Sequence, residues 1–212
     1  MNILSRNKKK SLTPVNYRQT ILDASLKVFA KKGFQNATMI DVARAAKVGI
    51  GTLYNYFKNK DELFINCADR TIKTELDKIR KICEKQVCPM DKMTTYFLQH
   101  DLLLKEKPYI ARFLVAELRQ SEGFFARNPE FNPLRHYTDF VRELFEEAKK
   151  IGRIRPELDI DALALMVIGS MDMLICQWLI DPEGVDTQQV IQNVRAIFAY
   201  GVRTTRPDGS AI

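Results

Sequence analysis

The chain is predicted to be all-α, and three observations predict it. Apolar residues recur at three- and four-residue spacing along most of the 212 residues. Strand-like alternation bounded by turn residues is scarce, with only 9 Gly and 8 Pro in the whole chain. Three of those prolines and several capping residues stand where helices start, as in Thr13-Pro14, Asn59-Lys60-Asp61-Glu62, Pro89-Met90-Asp91 and Lys107-Pro108. The length permits one large domain or two modest ones with a substantial core. A hydrophobic fraction of 46% with 28% charged residues is ordinary for a globular protein.

Taken in order, residues 1–12 read as a flexible basic arm. A first helix opens at Thr13-Pro14, places Ile21, Leu22, Leu26 and Phe29 on one face, and is stopped by Gly33, after which Phe34 packs back. Thr38 and Asp41 read as the cap of a short second helix whose apolar positions are Met39, Val42, Ala43 and Ala46. Val48 and Gly49 interrupt the pattern. A third helix over 50–57 puts Leu53 and Phe57 on one side and turns Thr52, Tyr54, Asn55 and Tyr56 elsewhere. Two short helices and a tight turn form the helix-turn-helix pattern, whose second helix can enter a major groove. The domain this makes spans 13–58.

Asn59 caps a long fourth helix reaching about residue 84, with Leu63, Phe64, Ile72, Leu76 and Ile79 apolar. Five further helices follow, about nine in all. Met93, Phe97, Leu98 and Leu102 mark the fifth; Ile110, Phe113, Leu114 and Leu118 the sixth; Phe140, Val141, Leu144 and Phe145 the seventh. Asp159 or Asp161 starts the eighth, and Asp186 with Gln189 resembles a capping pair for the ninth. This larger body spans 59–205, and 206–212 is a polar tail. The apolar run 162–180 is long enough to cross a bilayer, but Ser170, Asp172 and Gln177 interrupt it, so burial in the body or in a dimer seam is the expectation, with no membrane partner.

Charge separates the two parts. Up to Lys60 there are twelve bases and two acids, Asp23 and Asp41, while the remainder holds twenty-one bases and twenty-four acids. A basic end on a slightly acidic body suits a polyanion such as nucleic acid. Cys67, Cys83, Cys88 and Cys176 form no CxxC pair and have no His at ligand spacing, which argues against structural zinc and a disulfide framework. Residues 1–10 carry only Ile3 and Leu4 ahead of their charges, unlike a secretory leader, so a cytoplasmic location with reduced thiols is expected. No Gly-rich phosphate loop or nucleophile motif accompanies His100 and His136, so neither an enzyme nor a cofactor is expected.

The residues Thr38, Asp41-Val42-Ala43, Ala46, Val48, Gly51-Thr52-Leu53-Tyr54, Tyr56-Phe57, Asn59-Lys60 and Leu63 together resemble the DNA-binding domain of TetR-family transcriptional repressors, over roughly residues 17–63. Lys47 departs from the family's common turn Gly, and Gly49 stands where Ser or Thr often caps the recognition helix. The resemblance implies double-stranded DNA with a palindromic operator as partner. It implies base reading through Thr52, Tyr54, Asn55 and Tyr56, phosphate contacts from Thr38 and Lys60, and further DNA contacts at Lys47 and Gly51. It also implies a homodimer through the last two helices, which the excess apolar surface of 162–180 supports, and release by a small-molecule effector.

Within the body, residues 116–121 (AELRQS), Gly152 with Ile154, Met166 with Gly169, and Trp178 resemble the fatty-acid-metabolism branch of the family, which implies a long-chain acyl-CoA as effector. Phe97, Phe113, Met166 and Met173 suit an apolar tunnel, and Arg112 and Arg119 suit a CoA headgroup. Ser170 and Asp172 are further ligand candidates within the apolar run, where Asp172 also fits a buried hydrogen bond or a dimer contact. Two other classes fit the same residues: an architectural DNA-binding protein without a switch, and a regulator controlled by a protein partner.

Overall fold

A computed structural model of the chain describes residues 14–118, 120 and 122–201. It divides into two compact units, one up to Cys67 and one from Ala68 onward. The basic arm, the tail 206–212, Thr13 and Arg119 lie outside the described residues.

In the first unit, α1 (Pro14–Asn36), α2 (Met39–Ala46), α3 (Ile50–Tyr56) and the opening of α4 (Lys60–Cys83) enclose a small core. Gly33 interrupts α1 with φ 76° and ψ 156°, a conformation that L side chains resist, so the chain turns and Phe34 folds inward. The rings of Phe29 and Phe64 meet edge to face at 5.3 Å and those of Phe34 and Phe64 lie 4.7 Å apart. With Ile21, Leu22, Leu53, Phe57 and Leu63 they are fully buried or nearly so. Each such side chain is worth about 1.5–3 kcal/mol of burial, which lets helices of eight and seven residues persist.

In the second unit, α4 continues and is followed by α5 (Pro89–Glu106), α6 (Pro108–Arg112), a π-helical turn (Phe113–Glu117), α7 (Glu122–Arg127), α8 (Arg135–Lys150), α9 (Ile160–Ile180) and α10 (Thr187–Gly201). The described residues thus hold ten α-helices, one more than the sequence pattern suggests. The addition is α7, whose six residues are too few to show a period but which buries Phe124 against Phe131 at 5.8 Å. On α5 the buried residues include Met93, Tyr96, Phe97, His100 and Leu104, whereas Leu98 and Leu102 stand 44% and 46% exposed. The expected apolar face is rotated because Tyr96 and His100 turn inward in place of the two leucines.

Caps fix the helix ends. Asp159 accepts from the Ala162 N–H at 2.7 Å to start α9. Asp186 accepts from the Gln189 N–H at 3.0 Å ahead of α10, while the Gln189 side chain donates to Asn193 instead of closing a reciprocal box. Buried Asp101 accepts from Thr187 Oγ at 2.6 Å and from Lys105 at 2.8 Å, tying the start of α10 to α5.

Helix α9 is the one described helix long and apolar enough to cross a membrane, with mean hydropathy 1.9 in its richest stretch. It buries Leu163, Ala164, Val167, Ile168, Met171 and Leu174 within the unit. Its opposite side exposes Met166 (59%), Met173 (62%) and Ile180 (78%), seven residues apart and therefore one stripe, with Leu165 alongside.

Candidate nucleic-acid interface and effector cavity

Two local devices fix the ends of α2. Thr38 closes a capping box: its Oγ accepts from the Asp41 N–H at 3.1 Å, while Asp41 accepts from the Thr38 N–H at 3.1 Å and from its hydroxyl at 2.8 Å. Lys32 adds an ion pair to Asp41 at 2.7 Å. These hydrogen bonds, first from Lys32 and then from Thr38, hold the Asp41 carboxyl down at about 2. The acid of α2 is thereby neutralised by its own neighbours.

At the far end of α2, Lys47 adopts φ 57° and ψ 39°, the left-handed conformation that Gly usually supplies, and its N–H donates back to the helix. Gly49 precedes α3 without a side-chain cap. Leu53 and Phe57 are buried, which turns the other side of α3 outward. Gly51 and Asn55 are exposed, Tyr54 is 50% exposed, and Thr52 and Tyr56 are half-buried at the rim. Lys47 is exposed, as are Arg44 and Lys58, two cations not among the expected contacts. Neither Lys47 nor Lys58 has a side-chain ion pair among the described residues. A hydroxyl- and amide-bearing helix flanked by uncompensated cations suits base edges and phosphates.

Two expected backbone contacts have other work. The Lys60 ammonium donates to the carbonyls of Phe34, Gln35 and Ala37 at 2.9, 3.2 and 3.1 Å and sits 4.5 Å from the Phe34 ring centroid. An ammonium has three protons, and all three are committed. The Thr38 hydroxyl proton is likewise given to Asp41. The family position implies phosphate contacts for both; in this structure Lys60 braces the carbonyls left at the end of α1 and Thr38 braces the start of α2.

In the second unit a cavity of about 50 Å³ lies among α5, α8, α9 and the π-helical turn, bounded by Tyr96, His100, Leu104, Val115, Tyr137, Ile168, Met171 and Asp172, among others. A second pocket of about 360 Å³ adjoins it, and Leu114, Val115, Leu134 and Asp172 line both. The larger pocket alone reaches the lower range of small-molecule sites, roughly 300–1,000 Å³. The π-helical turn widens the backbone here and supplies Leu114 and Val115 to the walls; such turns cluster at functional sites.

Of the sequence candidates for ligand contact, Asp172 lines both spaces. Phe97 packs in the core against Tyr96 and Phe198, and Phe113 is fully buried beside the wall residues Leu114 and Val115. Arg112 is exposed. Met166 and Met173 face away from the unit, and Ser170 donates to the carbonyl of Met166 on its own helix at 2.8 Å. The lining that sequence reasoning missed is Tyr96, His100 and Tyr137. The signal was present as an aromatic–imidazole pair four residues apart on α5.

Tyr96, His100, Tyr137 and Asp172 are the residues with polar side chains on this otherwise apolar lining. The His100 Nδ1 meets the Tyr96 carbonyl at 2.9 Å, so it is the protonated nitrogen and Nε2 is left as an acceptor. Burial depresses the imidazole to about 4, leaving it neutral at physiological pH. Burial, and then the nearby Glu75 charge, push the Tyr137 phenol above its ordinary range, and its buried hydroxyl has no hydrogen-bond partner among the described residues.

Comparison with known proteins agrees with this architecture. A family profile described as "Bacterial regulatory proteins, tetR family" matches residues 21–67, and one described as "YsiA-like protein, C-terminal region" matches residues 69–201. The chain is 24% identical over 182 residues to the fatty acid metabolism regulator protein of Bacillus subtilis, covering 86% of this chain and 93% of that one. The fatty acid degradation regulator FadR of Bacillus halodurans superposes with a TM-score of 0.76 at 27% identity, covering 87% of this chain and 99% of that one. FadR of Bacillus subtilis, solved in complex with stearoyl-CoA, gives a TM-score of 0.76 at 23% identity with the same coverage. With a helix-turn-helix unit that matches one profile and a helical body that matches the other, this chain belongs to the TetR family of DNA-binding transcriptional regulators, which are not enzymes.

Proposed function

We propose that the protein is a homodimeric repressor that leaves a palindromic operator when a long-chain acyl-CoA enters the cavity of its second unit. The observation that carries the reading is the paired apolar space walled by a π-helical turn, in a body similar to that of fatty-acid regulators. An acyl chain needs an apolar path of this kind, and Asp172 stands where the two spaces join. The exposed stripe Met166, Met173 and Ile180 on α9 supplies the seam for a second copy. Two heads then read half-sites about 34–36 Å apart or a multiple of that spacing. Thr52, Tyr54, Asn55 and Tyr56 read bases, with Gly51 letting the helix approach closely, and Lys47 contacts the backbone. Helix α4 belongs to both units, so a ligand that favours one of its positions alters the spacing of the heads.

The test is binding to DNA from directly upstream of the protein's own coding region, at fixed salt, with and without hexadecanoyl-CoA. Specific binding that the thioester abolishes is the expected result. Specific binding that persists unchanged overturns the effector assignment and keeps the DNA reader.

A further inference from the structure

Resting on the base-reading role of α3 proposed above, we infer that Ile50 is a specificity residue that reads the C5 methyl group of a thymine in each half-site. Ile50 opens α3 and stands 42% exposed, four residues ahead of Tyr54, itself 50% exposed. That spacing puts the two side chains in one row along the helix, and exposed Gly51 and Asn55 form the next row. A Cβ at Gly51 would meet nothing within 4 Å among the described residues, so no packing inside the unit calls for glycine there. Glycine also weakens a helix by about 1 kcal/mol relative to alanine. A bare backbone beside an exposed aliphatic side chain suits a surface that another molecule approaches closely.

The chemistry of the target follows from the side chain. An aliphatic group finds no match in a phosphate or in the donors and acceptors of the base edges. In the major groove the one apolar group is the C5 methyl of thymine, which helps to set A·T pairs apart from G·C pairs. Packing the two together takes both out of water, worth about fourfold in affinity for one methyl group. Exposed Lys47 and Lys58, just before and just after α3, suit the phosphates that border the groove. Packing of Ile50 on a deoxyribose would use the same apolar surface but would be blind to the methyl group.

The experiment first selects duplexes from random-sequence DNA with the full-length protein. Each thymine fixed by the selection is then replaced by deoxyuridine, which removes the methyl group and keeps the base pair. At one position in each half-site the replacement should weaken binding about fourfold, and at both together about fifteenfold. In Ile50→Ser the thymine and deoxyuridine duplexes should bind alike, whereas Ile50→Val should keep the discrimination. Circular dichroism checks that both variants keep their fold. If no deoxyuridine weakens binding, or if the selection fixes no thymine, Ile50 reads no methyl group and the inference fails while the DNA reader stands. A methyl dependence that survives in Ile50→Ser belongs to another residue and also overturns it. If no duplex is selected at all, the base-reading role of α3 falls together with the inference.

Discussion

Replacing Lys60 by Met keeps the aliphatic stem and removes only the ammonium, so it separates bracing from DNA contact. Three carbonyls lose a charged donor, at 2.9, 3.2 and 3.1 Å, and the Phe34 ring loses a cation 4.5 Å from its centroid. A hydrogen bond to a charged group is worth about 1.5–3 kcal/mol, but the three share one donor and cannot be summed. The Gln35 carbonyl belongs to an exposed residue and rehydrates, whereas those of Phe34 and Ala37 belong to buried ones and are costlier to leave bare. The expected net loss is about 2–3 kcal/mol, or roughly 5–10 °C in Tm for a chain of this size. Thermal unfolding followed by circular dichroism reads the stability. The salt dependence of DNA binding, measured well below the transition, reads the phosphate contacts. A brace predicts a lower Tm and an unchanged salt slope. An unchanged Tm with a slope smaller by about one unit would refute the reasoning and restore Lys60 as a phosphate contact.

Three other perturbations test the remaining parts. His100 is buried neutral with a folded value of about 4 against 6.5 unfolded, so below pH 6.5 the unfolded chain takes up the proton first. Stability should be full above pH 6.5 and decline by about 3 kcal/mol as pH falls toward 4; urea midpoints from pH 7 to 4 should show a shallower decline in His100→Phe, and equal slopes would contradict the assignment. Lys47→Gly exchanges a left-handed cost of about 1–2 kcal/mol for a glycine entropy cost of about 0.5–1, so the variant should be slightly more stable yet bind DNA more weakly; a loss of stability would count against the strain at this turn. Met173→Glu places a charge in the exposed stripe of α9 and should give monomers by analytical ultracentrifugation without unfolding the protomer; a persistent dimer would move the seam elsewhere.

The DNA-reading half was legible in the sequence because its devices are local. The Thr38–Asp41 box, the Asn59 cap accepting from Glu62 N–H at 2.8 Å, the break at Gly33 and the demand placed on Lys47 all act within a few residues, where sequence spacing is spatial spacing. The same short range explains why Leu53 and Phe57 could be assigned to the core and Tyr54 and Asn55 to the surface. The bracing by Lys60 was not legible because its partners lie 23 to 26 residues away, at the end of α1, and no local pattern announces three bare carbonyls.

The effector half was legible only as a class of helices. Periodicity shows that a helix has an apolar face, but a face can meet the unit's core, a cavity or a second copy, and all three use Leu, Met and Phe. Helix α9 carries apolar residues on every side, so although Asp172 stood out, the sequence by itself could not tell that Met171 lines the cavity while Met166 and Met173 look outward. That choice was made by packing: α8, α5 and the π-helical turn cover one side of α9 and leave the other bare. The pairing of His100 with Tyr137, 37 residues apart and on different helices, is likewise a product of tertiary structure. The sequence by itself determined an all-helical DNA-binding regulator; the cavity and its lining were decided only when distant helices closed around them.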